Sequence, residues 1–75
     1  MTADPAFRRT WHPPLDSEDI RLLELLGRGL PAESVARRLG LSERTVRRRT
    51  RAICDRLGVS TAIEAVVWAA RRGLV

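Results

Sequence analysis

All fourteen basic side chains of this 75-residue chain, His12 aside, are arginines, and six of them are crowded between positions 44 and 56. Arg44, Arg47, Arg48, Arg49, Arg51 and Arg56 meet a single acid there, Asp55, while the other 62 residues carry eight arginines and eight acids. The whole formal charge of +5 therefore resides in that one stretch. Guanidinium groups stay charged, are planar and carry only donors, so a stripe of them suits a polyanion whose condensed counterions are released on contact. The plain alternative is a solvated basic helix with no partner.

Spacing separates the two readings. On a helical wheel, Thr50, Ile53 and Leu57 fall within about 40° of Val46, with Cys54 at about 80°, which makes one buried edge. Arg47, Arg51, Arg44 and Arg48 fall at about 100°, 140°, 160° and 200°, on the opposite face. Arg49 and Arg56 flank the apolar edge on its other side, at about 300° and 280°. Such a helix buries one edge and presents arginine on the other. The fork of arginine matches O6 and N7 of guanine, and an α-helix fits the major groove, so Arg47, Arg48 and Arg51 are the candidate base readers. Ser42, Arg44 and Thr45 stand where hydroxyls, charge and free N–H groups favour phosphate, and Arg49 joins them as a candidate phosphate contact. Thr50 is read as structural.

Positioning these residues requires a scaffold. Residues 1–14 hold three of the four prolines and no periodicity, and read as a flexible arm or linker remnant, with Trp11 able to pack back and Arg8 and Arg9 able to touch phosphate. Asp16 is an N-cap, Ser17, Glu18 and Asp19 start a helix, and Leu15 with Ile20 fit a hydrophobic staple. The apolar run Ile20, Leu22, Leu23, Leu25 and Leu26 ends at Gly27 and Gly29. Pro31 opens a second helix with Val35, Ala36 and Leu39 on one face, ended by Gly40. Ser42 caps the basic helix over 43–57, and Gly58 closes it. Thr61 and Glu64 have capping-box spacing for a fourth helix that runs to about Arg72, before Gly73. A short helix, a tight glycine turn and a longer basic helix make a helix-turn-helix, and no segment reads as a strand. The expected fold is all-α, a four-helix domain over 15–75.

The stretch LDSEDIRLLELLGRGLPAESVARRLGLSERTVRRRTRAICDRLGV, followed by IEAVVWAARRGLV, resembles the LuxR-type (GerE, FixJ and NarL) helix-turn-helix family. The resemblance runs from Leu15 to Val75 and includes the alanine of VARRL, the Leu-Ser of the turn, Thr45-Val46 and the Arg56-Leu57-Gly58 ending. It implies a bacterial transcription regulator or its output domain, as in response regulators, binding double-stranded DNA as a homodimer through the fourth helix. The family's base-reading positions fall on Arg47, Arg48 and Arg51. Two positions depart from the pattern: Asp19 stands where the family often has glutamate, and Arg49 where it often has histidine. Both are usually structural. A free-standing regulator and an output piece of a longer chain both remain open.

On the fourth helix, Glu64, Val67, Trp68 and Arg71 share one face, while Ala65, Val66, Ala69 and Ala70 can cover the core. That face suits a self-complementary seam, which would set two recognition helices about one DNA turn apart. Internal packing of Trp68 is the alternative, and the family resemblance favours the seam. Two other readings stand beside DNA regulation by a homodimer. One is a protein-interaction module that sequesters a related regulator through helix 61–72. The other is a sigma-factor-like promoter-reading domain, whose partner would be RNA polymerase.

Other chemistry is poorly supplied. There is one histidine, His12, and one cysteine, Cys54, with no metal-ligand spacing, phosphate loop or nucleophile–base pair. No enzyme, cofactor, metal or small-molecule ligand is expected. No apolar run approaches the roughly 18 residues that span a bilayer, so a cytoplasmic, nucleoid-associated location is expected.

Overall fold

The computed structural model describes residues 15–75. The arm expected at 1–14, with Arg8, Arg9, Trp11 and His12, lies outside the described residues. Four helices follow one another: α1 (Ser17–Gly27), α2 (Ala32–Leu39), α3 (Glu43–Leu57) and α4 (Ala62–Arg71). Among the described residues there is no strand.

Helix α1 begins with a closed capping box. The Asp19 amide donates to Asp16 Oδ1 at 2.9 Å, and the Asp16 amide donates back to Asp19 Oδ2 at 3.2 Å. Each satisfies a backbone donor that the first turn leaves without an intrahelical partner. The amide bonds hold the Asp16 carboxyl below the usual carboxylate range. The far end differs from expectation. Only Gly29 takes the left-handed conformation, with φ +86°, whereas Gly27 is the last helical residue. A Cβ at Gly27 would lie 3.1 Å from Val66 Cγ1, so its place in the chain is a matter of close approach between α1 and α4.

Pro31 is the N-cap of α2, where its missing N–H leaves nothing unsatisfied. The helix stops at Gly40, whose φ of +70° lets the Leu41 amide turn back to the Ala36 carbonyl at 2.9 Å. This reversal is what sets α3 across α2. Ser42 caps α3 by accepting the Thr45 amide at 3.0 Å. The Thr50 hydroxyl donates to the Val46 carbonyl at 2.8 Å, which bears out its structural reading. In α4 the Thr61–Glu64 box is closed in both directions.

The core gathers Leu22 and Leu23 of α1, Val35 of α2, and Val46 and Ile53 of α3, all fully buried, with Leu15, Leu25 and Cys54 around them. Side chains of this size contribute about 1.5–3 kcal/mol each on full burial. Ala65 and Ala69, both at 0% exposure, let α4 lie close to α1, its most extensive neighbour. The expected core face of α4 needs one correction: Val66 packs half-buried against the core as expected, but Ala70 is exposed. The contact line on α4 follows the i, i+4 pair 65 and 69, and Ala70, one residue on, is turned about 100° away from it.

Candidate nucleic-acid interface

The tertiary structure sorts the six arginines of α3 into two sets of three. Arg56 lies 3.0 Å from Asp19, Arg49 lies 3.2 Å from Glu18, and Arg47 pairs with Glu43 one turn back along its own helix. Arg44, Arg48 and Arg51 are exposed and form no ion pair among the described residues. The two arginines that the wheel set apart at the edge of the apolar stripe are therefore the two that fasten α3 to α1. The other four stand on the outer face, and Arg47 keeps 70% of its side chain exposed.

Arg47 and Arg51 also line an open groove together with Thr50, Asp55, Val59 and Ser60. The neighbouring Cys54 is a core side chain at 7% exposure, and that loss of hydration pushes its thiol pKa up. The candidate phosphate contacts are placed less uniformly. Arg44 is exposed at the start of α3. The Ser42 hydroxyl donates to Thr45 Oγ1 at 2.9 Å while accepting the Thr45 amide, so both residues are engaged in the cap. Arg49 is turned toward α1 and is 39% exposed at its side chain.

Of the α4 residues singled out from sequence, Val67 is 43% exposed and Arg71 is exposed. Glu64 is committed to its cap, and the hydroxyl and amides of Ser60 and Thr61 hold its carboxyl below the usual range. Trp68 is half-buried against the core, and the Arg72 guanidinium lies 3.9 Å from its ring centroid. Ile63, not singled out from sequence, is 72% exposed and precedes Val67 by one turn. With Val59 and Trp68 these two form the apolar part of a shallow groove whose other lining residues are Glu64, Arg71 and Arg72. Glu43 was also missed as a partner of Arg47, although acid four residues before base is a legible helix pair.

A family model described as bacterial regulatory proteins, luxR family (GerE), matches residues 15–69. The chain belongs to the LuxR family. The LuxR-family domain is thus a helix-turn-helix of all-α architecture, a DNA-binding type used in regulation. It is 34% identical over 61 residues to the transcriptional regulatory protein YdfI of Bacillus subtilis (strain 168), covering 81% of this chain and 29% of that protein. The chain therefore spans under a third of the length of the curated relative it matches. No solved structure matches. Within the LuxR-family domain, α2 and α3 are the helix-turn-helix pair, and the described residues include neither a membrane-spanning helix nor a metal-binding cluster.

Proposed function

We propose that this domain reads duplex DNA for a bacterial transcription regulator, with α3 in the major groove. Arg47, Arg48 and Arg51 meet base edges, and Arg44 with the capped helix start at Ser42 and Thr45 meets phosphate. Arg49 keeps its ion pair with Glu18 and adds to the local field rather than gripping a phosphate alone. The observation that carries this reading is the segregation on α3: the arginines on the outer face leave three charges uncompensated, while the two beside the core are neutralised by α1. A merely solvated helix has no reason to divide its charges so.

Two copies act together through α4, with Ile63 and Val67 as apolar centre and Glu64, Trp68 and Arg71 around them. Exposure of Ile63 and Val67 one turn apart on a small domain supports a partner there, and a second copy would supply the same surface.

Fluorescence anisotropy of the chain on random-sequence duplex across a salt series tests the DNA reading. The expected result is a Kd near 10⁻⁴–10⁻⁶ M (order of magnitude) that weakens steeply with salt. No binding at low salt would overturn it.

A further inference from the structure

A second basic concavity lies on the opposite flank of α3. It is lined by Arg21 of α1, Arg38 of α2 and Arg49 of α3, together with Glu18 and the half-buried Leu39 and Leu41. Arg21 and Arg38 make no ion pair among the described residues, and the one carboxylate, Glu18, is shared with Arg49. Three guanidinium groups against one acid leave the groove strongly positive. We propose that this groove binds an acidic, leucine-containing segment of a partner protein while the domain is on DNA.

The direction of the groove argues for a protein over the same duplex. Arg47 and Arg51 line a different groove, and the two share no residue. On the wheel, Arg49 stands about 150° from the middle of the Arg44, Arg47, Arg48 and Arg51 face. Its ion pair with Glu18 turns it toward α1. A duplex seated on the outer face of α3 leaves this groove open.

The layout argues for a chain segment over a compact anion. The cations come from three separate helices, and two leucines lie among them. Carboxylates spaced along a peptide can each take a guanidinium in a two-pronged contact, while an apolar residue covers Leu39 and Leu41. Single exposed ion pairs contribute little, so affinity depends on several acting together in a concave wall that concentrates the field. Glu18 already occupies Arg49 and acts as an internal competitor that a partner carboxylate displaces.

Heteronuclear NMR of the full chain, titrated with a short synthetic peptide of glutamates and leucines, tests the proposal. A matched peptide with glutamine for glutamate serves as the control. The expected result is saturable shifts around Arg21, Arg38 and Leu41, preserved when the chain is first saturated with duplex DNA. Arg21→Gln with Arg38→Gln should weaken the peptide at least about tenfold, whereas Arg48→Gln should not. Glu18→Gln should tighten it, a gain that a misfolded variant could not produce. Displacement of the peptide by duplex, or equal sensitivity to Arg48→Gln, would mean the peptide only imitates DNA on the outer face and would overturn the proposal. So would a fall in duplex affinity and salt dependence on removing Arg21 and Arg38, since the groove would then hold a phosphate. Absence of saturable binding at low salt overturns it as well. Each outcome is read apart from the recognition-helix assignment, which stands or falls on Arg47 and Arg51.

Discussion

Arg56, in the last turn of α3, places its guanidinium 3.0 Å from the carboxylate of Asp19 in the first turn of α1, and the Asp19 side chain is 9% exposed. The same oxygen, Oδ2, receives the Asp16 amide. One buried acid therefore closes the cap of the first helix and fastens the end of α3 to it. Asp19, which stands where the family resemblance implies glutamate, serves here as a cap and ion-pair partner.

Removing Arg56 leaves a buried carboxylate with its partner gone. Because the Arg56 side chain is itself 47% exposed, water can recover part of the loss. Arg56→Ala should lower stability by about 1–3 kcal/mol, below the range for a fully buried pair. Denaturant midpoints, with Asp19→Asn completing a double-mutant cycle, measure it. Additive losses would show that the two side chains do not act as a pair.

At a selected DNA site, Arg47→Ala or Arg51→Ala should cost about 1–3 kcal/mol and relax one base position. Arg44→Ala should instead weaken all sequences alike and reduce the salt slope by about one phosphate. Site selection followed by anisotropy distinguishes the patterns. Unchanged binding in both Arg47 and Arg51 variants would sink the recognition-helix assignment.

Glu43 should act in the opposite direction. Its carboxylate neutralises Arg47 one turn along α3. Glu43→Gln should raise affinity for random-sequence duplex and steepen the salt slope by up to about one phosphate, while narrowing the preference for the selected site. A fall in random-sequence affinity would contradict this.

Acid should loosen the domain through its caps. Asp16 and Glu64 have folded pKa values depressed, Asp16 by the Asp19 amide and Glu64 by the Thr61 hydroxyl. Their contribution is fully present above the unfolded carboxylate range and is lost as pH falls through the lower folded values. Cys54 runs the other way: its raised pKa makes its contribution full below the ordinary thiol value and lost as pH rises through the folded one. Thermal unfolding against pH should show both limbs. Asp16→Ser, which keeps a capping oxygen but cannot titrate, should flatten the acid limb, and an unaltered limb would remove Asp16 from the account.

The α4 seam can be tested without DNA. Ile63→Glu should shift sedimentation toward monomer, whereas the nearby exposed Ala70→Glu serves as a control off the apolar pair. Dimer populations equal to wild type in Ile63→Glu would place the seam elsewhere. Trp68 packs half-buried against the core with Arg72 over its ring, so the test is placed at Ile63.

The local half of this protein was legible in the order of its residues. The bounds of α3 at 43 and 57, the cap at Asp16, the box at Thr61–Glu64 and the reversal at Gly40 all depend on neighbours within five residues. Capping, helical period and left-handed glycine act at that range, so a linear reading captures them. The wheel also separated Arg49 and Arg56 from the other four arginines, because their angle on α3 is a property of α3 alone. Only the tertiary structure assigned their partners, Glu18 and Asp19, since which helix faces that edge depends on how Leu22, Leu23, Val35, Val46 and Ile53 pack together. The same packing turned Ala70 outward, made Gly27 a point of helix contact and left Ile63 bare. Those outcomes belong to surfaces meeting across the core, where neither side chain carries the identity of its neighbour.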